Sequence, residues 1–224
     1  MTFKTKIVPL GDAALLIQLG DEIDLTINQR VHMLATLVNA SSLDGVIEAV
    51  PAYGTLLVHY DPLILSFTQI KNDVRAKIVQ VEESNAQKPR QVEVPVRYGG
   101  EFGSDLEFVA SNCGLSVEEV IRLHSARMYT VYMMGFTPGF PYMGKLDGAI
   151  VTPRLATPRT RVPAGTVAIA GFQTGIYPID SPGGWRLIGW TSLRLFDLES
   201  EPPFLFSPGD EVKFVAENNV TRSY

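Results

Sequence analysis

The chain has one cysteine, three histidines and no apolar run approaching the length of a membrane span. A single thiol, Cys113, forms neither an internal disulfide nor a multi-thiolate metal site, which fits a reducing compartment. His32, His59 and His124 are far apart, and none lies in a metal-ligand motif, so no metal site is expected. A bilayer needs about 20 consecutive apolar residues, and the opening MTFKTKIVPLGD has no signal-peptide core; a cytoplasmic location is expected. Charge of one sign is also scarce: 19 Lys and Arg against 24 Asp and Glu leave a net charge of −5, which argues against a nucleic-acid coat. There is no Gly-x-Ser-x-Gly elbow, no internal repeat and no low-complexity tract.

What is present is apolar. Hydrophobic residues make up 46% of the 224 and charged ones 19%, which excludes a disordered chain and promises a well-filled core. Lys6–Gly11 and Ala14–Gly20 pattern as a hairpin around Gly11-Asp12. Ile27, Val31, Leu34 and Val38 then mark one helical face, and Gly45–Val50 and Thr55–Tyr60 form a second strand pair. Ser66 caps a helix whose stripe is Phe67, Ile70, Val74, Ile78 and Val81. Two strand pairs, each followed by a helix, predict a small α+β domain over residues 1–84. The polar stretch ending in Pro89-Arg90 reads as a linker, placed at 85–91.

Residues 92–224 read as a mainly β domain. Val92, Val94, Val96 and Tyr98 alternate with polar residues, and Pro95 predicts an edge strand. Two short helices follow, each with a capping box: Ser104 with Glu107, and Ser116 with Glu119. Beyond Met128 come short strands (MYTVYMMGF, TVAIAG, IYPI, WRLIGW, SLRLF, EVKFV), which predict a closed barrel or sandwich. Eleven of the 19 glycines and ten of the 15 prolines fall within residues 135–209.

The candidate chemistry lies in this proline- and glycine-rich part. Gly139–Lys145 (GFPYMGK) imitates the start of a P-loop, but Leu146 stands where Ser or Thr would hold magnesium and Pro141 lacks a backbone donor. His124 shares a helical stripe with Val117, Val120 and Ile121, and two roles stay open: a buried, hydrogen-bonded support, or an acid–base group facing the next loop. Cys113 reads as a small core hydrophobe. In Met134–Gly144, Phe136, Phe140 and Tyr142 stand among glycines and prolines, as a rigid core turn or as a pocket or partner wall. Arg154, Arg159 and Arg161 follow within eight residues. Guanidinium groups beside prolines suit bidentate anion recognition, the alternative being ion pairs with Asp147 and Asp180. Gln173, Tyr177, Ser181, the Gly183-Gly184 pair and Trp185 offer donors for an amide or an oxyanion. Ser181 has no histidine beside it to make it a nucleophile.

The run LHSARMYTVYMMGFTPGFPYMGKL, with PRLATPR, VPAGTVAIAGFQTGIYPIDSPGGWRLIGWT and PGDEVKF downstream, resembles the B component of the bacterial three-component 5-oxoprolinase. The same family is described as Kip-type kinase inhibitors and as the first component of allophanate hydrolase. The resemblance is strongest from Leu123 to Phe214 and extends weakly to PLGDAALLIQLG. It implies a cyclophilin-like barrel behind an α+β domain, and partners homologous to the A and C components. The implied reaction is ATP-dependent opening of 5-oxoproline to L-glutamate, with magnesium accompanying the nucleotide and little activity in this chain alone. It also implies an anion role for Arg154 and Arg159. Gln173, Tyr177, Gly183, Gly184, Trp185 and His124 fall on further family signatures. Two other implied functions are inhibition of a sporulation histidine kinase and a part in biotin-dependent urea or allophanate carboxyl transfer. No Met-Lys biotin attachment site is present here.

Overall fold

A computed structural model of the chain describes residues 5–82 and 89–217. The chain divides into two compact units, the boundary falling between Lys88 and Pro89. Most of the expected linker, residues 85–88, lies outside the described residues.

In the first unit, β1 (Lys6–Pro9) and β2 (Ala14–Gln18) form the expected hairpin, followed by α1 (Leu25–Asn39). Then come β3 (Val46–Pro51), β4 (Thr55–Tyr60) and α2 (Phe67–Glu82). The four strands form one antiparallel sheet in the order β1-β2-β4-β3. Asp24 caps α1 by accepting the Ile27 N–H at 2.9 Å, and Ser66 and Gln69 close a reciprocal cap on α2. Val31, Leu34 and Val38 of α1, Ile70 and Val74 of α2, and Leu15, Ile17, Leu56 and Val58 of the sheet fill one core. Each such side chain contributes about 1.5–3 kcal/mol through burial.

The second unit opens with β5 (Gln91–Tyr98), then α3 (Leu106–Cys113) and α4 (Val117–Ala126). The remaining strands are β6 (Met128–Met134), β7 (Pro141–Gly144), β8 (Arg159–Val162), β9 (Thr166–Ala170), β10 (Gln173–Ile176), β11 (Ser181–Gly183), β12 (Arg186–Trp190) and β13 (Glu211–Ala216). Seven of them close a barrel in the order β10-β7-β6-β13-β5-β12-β9, while β8 and β11 form a separate antiparallel ribbon. The α+β unit followed by a closed barrel agrees with the fold class expected from the sequence.

The alternation along β9 explains where the ribbon sits. Val167 and Ile169 point into the barrel core with Val94, Tyr129 and Phe214. Ala168 and Ala170 point outward into a second cluster with Val162 of the ribbon, Phe140, Tyr177, Trp185 and Leu187. β9 is therefore buried on both faces, and the second cluster places aromatic side chains outside the barrel wall.

Four expectations are corrected. IYPI (176–179) is not a strand: β10 ends at Ile176, and the chain bends from Pro178. β5 is not an edge strand: it pairs in parallel with β13 and antiparallel with β12. Pro95 is tolerated because Val96 turns its carbonyl to β13, accepting from the Glu217 N–H, so Pro95 faces the other side, where pairing with β12 starts only at Arg97. The Ser104–Glu107 box does not form, because Asp105 occupies the N-cap position and commits its carboxylate elsewhere; the Ser116–Glu119 box does form. SLRLF (192–196) is not a regular strand and makes only a Phe196–Phe204 bridge.

Candidate functional site: an aromatic cleft outside the barrel

The outer cluster opens into a cleft of about 320 Å3. Its walls include Phe136, Phe140, Tyr142, Arg154, Tyr177, Gly183, Gly184 and Trp185, all singled out from sequence, together with Leu155, Pro158 and Pro182. The aromatic rings meet edge to face: Phe140 lies 4.9 Å from Tyr142, 5.2 Å from Tyr177 and 5.5 Å from Trp185 between centroids. Such packing adds about 0.5–1.5 kcal/mol per pair beyond burial and makes a stiff wall. Gly183 is required here, since a Cβ would run into the Tyr177 hydroxyl. Burial pushes the Tyr142 and Tyr177 hydroxyls above the ordinary tyrosine range, so both stay protonated at neutral pH. Phe136 stands at the mouth, 59% exposed, in the left-handed backbone region at φ 65°. That conformation is costly for a residue with a Cβ.

The three clustered arginines part company. The Arg154 guanidinium stacks over Trp185 at 5.8 Å and makes no ion pair among the described residues. Arg159, expected to bind an anion, is instead committed to Asp105: one terminal nitrogen donates to both carboxylate oxygens at 2.8 and 2.9 Å, and Arg159 does not line the cleft. Arg161 pairs with Asp180 in an exposed contact, in line with the ion-pair alternative for that aspartate. Asp147 takes Arg127.

Of the two roles left open for His124, the structure has the buried, hydrogen-bonded support, and the candidate catalytic role is corrected. The ring is fully buried, so it cannot touch a ligand. The hydrogen bonds fix one neutral arrangement. Thr174 donates its hydroxyl to the Ala168 carbonyl at 3.1 Å, so its oxygen accepts from His124 Nε2 at 2.9 Å. His124 Nδ1 in turn accepts the Tyr98 hydroxyl at 2.7 Å. Burial lowers the imidazole pKa to about 3. Gln173 sits at the start of β10, opposite Gly144 and Ala170, and does not line the cleft either. The residue that sequence reading missed is Asp105. Its only signal was a capping position one residue after Ser104.

Residues 5–206 match the family of the carboxyltransferase domain, subdomains C and D. The chain is 46% identical over 225 residues to the B component of the 5-oxoprolinase of Bacillus subtilis (strain 168), covering 96% of this chain and 94% of that one. It is 43% identical over 211 residues to the B component of the 5-oxoprolinase of Escherichia coli O157:H7, covering 93% and 94%. The chain belongs to the 5-oxoprolinase B-component family. Among solved structures, a conserved uncharacterized protein of Pyrococcus horikoshii shares 49% identity at TM-score 0.56, covering 96% of this chain and 98% of that one. A longer protein, TTHA0988, shares 40% identity at TM-score 0.82; the match covers 94% of this chain, which spans 41% of that one. The urea amidolyase of K. lactis, at 19% identity and TM-score 0.77, shares the fold. Among the described residues no helix is long and apolar enough to cross a membrane.

Proposed function

We propose that this chain serves as the B component of an ATP-dependent 5-oxoprolinase, together with partners homologous to the A and C components, and that the aromatic cleft receives 5-oxoproline. The observation that carries the assignment of the cleft is Arg154. It is an arginine without an ion pair among the described residues, held against Trp185 at the edge of a mostly apolar cleft. A small lactam that bears a carboxylate matches that set. The guanidinium takes the carboxylate, the ring lies against aromatic faces, and protonated tyrosine hydroxyls and glycine N–H groups offer donors for the amide oxygen. The names of the relatives at 42–46% identity support the same substrate.

A lactam carbonyl is a poor electrophile because of amide resonance, which is why its cleavage is coupled to ATP. The cleft itself does not fit a triphosphate with its magnesium: one arginine lines it, with no lysine and no carboxylate. Nucleotide binding is therefore assigned outside this cleft, and the cleft's part is to hold and orient the lactam.

The test is reconstitution. Mixed with its two partner proteins, the chain should release glutamate and phosphate in equal amounts from 5-oxoproline and ATP, and show little turnover alone. No glutamate from the complete mixture overturns the proposal. A histidine kinase blocked by the same preparation would then favour the Kip-type reading.

A further inference from the structure

Asp105, at the start of α3, is buried at 7% exposure yet gives α3 no side-chain cap. Its carboxylate accepts from Arg159 and, at 2.7 Å, from the Leu187 backbone N–H, while the Asp105 N–H donates to the Leu187 carbonyl at 2.9 Å. Arg159 reaches on with its other terminal nitrogen to the Trp185 carbonyl at 3.4 Å. The loop carrying Arg154 is tied to the same strip of chain. Leu155 N–H donates to the Gly184 carbonyl at 2.8 Å, and Arg186 Nε donates to the Pro153 carbonyl at 3.2 Å. Arg186 in turn lies 3.9 Å over the ring of Phe108, on α3.

We infer that Asp105, acting through Arg159, is a positioning residue for the cleft: it braces the Gly184–Leu187 strip, and with it Trp185 and Arg154, against α3. Neither member of the pair lines the cleft, so the effect on ligand is indirect. The burial of the pair explains why one side is the better place to cut. Removing Arg159 strands a buried carboxylate, whereas removing the charge of Asp105 leaves a guanidinium whose side chain is 29% exposed and can reach water. The consequence for binding rests on the proposed function above; the bracing itself does not.

The experiment uses the full chain with Trp190→Phe, so that Trp185 is the only tryptophan. Acrylamide quenching and the emission maximum report how well Trp185 is shielded, and titration with 5-oxoproline reports affinity. Asp105→Asn keeps an acceptor for Leu187 but loses the charge. It should make Trp185 easier to quench, shift its emission to longer wavelength and weaken 5-oxoproline binding about tenfold, or 1.4 kcal/mol. In the reconstituted enzyme the loss should fall on KM more than on kcat. The double variant Asp105→Asn/Arg159→Gln should be no worse than Asp105→Asn alone, because the two side chains act as one unit. Arg159→Lys, a milder change, should partly retain both shielding and binding, and it decides the matter if Asp105→Asn does not fold. Unchanged shielding and affinity in Asp105→Asn overturn the inference. So does an Arg159→Lys variant that abolishes binding while Trp185 stays shielded, since Arg159 would then touch the ligand itself. If the Trp190→Phe parent binds no 5-oxoproline, the functional reading fails, and the quenching series still decides whether the brace exists.

Discussion

The second unit holds two polar centres with opposite settings. In the barrel core, His124 is fully buried, and its two ring nitrogens are both taken, by Tyr98 and Thr174. At the outer cleft, Arg154 is exposed and makes no ion pair among the described residues. A polar group whose hydrogen-bonding capacity is filled inside a core serves folding; one left unmatched beside an apolar cleft is ready for a ligand. Titratability alone does not separate them, and on sequence both stood as site candidates.

The sharpest way to break the contrast is to remove each group and compare stability with binding. His124→Leu orphans the buried Tyr98 hydroxyl, so urea denaturation should show a loss of about 3 kcal/mol or more, while the folded fraction binds 5-oxoproline as before. Arg154→Gln should do the reverse. Affinity for 5-oxoproline falls by about 1.5–3 kcal/mol if the contact is charge-assisted, and the unfolding midpoint moves within about 0.5 kcal/mol, as for an ordinary surface change. If both variants lost stability alone, or binding alone, the two centres would not differ in kind.

pH sharpens it further. The His124 pKa is about 3 in the fold against 6.5 unfolded, so the unfolded chain binds the extra proton. Stability from this group is full above pH 6.5 and is lost as pH falls toward 3, at up to about 1.4 kcal/mol per pH unit. Comparing the acid limb of wild type with that of His124→Leu should show one proton's worth of slope missing in the variant. The smallest effect expected is at the cleft mouth. Phe136→Gly relieves the left-handed strain and should raise stability by up to about 1 kcal/mol in thermal unfolding while weakening 5-oxoproline binding a few-fold. A destabilised variant would mean that the ring contacts at Phe140 and Tyr177 outweigh the strain.

Local patterns made the first unit legible, because its hairpins and helices are built from contacts close in sequence: Val31, Leu34 and Val38 recur at helical spacing and are all buried. In the second unit β5, β6, β9, β12 and β13 were visible as short apolar runs; the barrel strands β7 and β10 were not, and neither were β8 and β11. Each of the last two is three or four residues with prolines and glycines nearby, and pairing with the other is what orders them. Eight cleft residues were picked out because aromatic, glycine and arginine residues in that setting have few other uses. Arg159 was misassigned because its partner lies 54 positions earlier, and no pattern in the chain announces that Asp105 would be buried beside it. Gln173 shows the same limit, whereas the burial of His124 was legible in its helical stripe. Which face of a barrel strand a side chain takes depends on closure, which sequence spacing does not record.

A structure of the assembled complex with 5-oxoproline bound decides whether Arg154 receives the ligand. The ligand carboxylate should lie within hydrogen-bonding distance of the Arg154 guanidinium, with the lactam ring against Trp185 and Arg159 still paired to Asp105. A lactam seated away from this cleft, with Arg154 turned to solvent, would rule that role out.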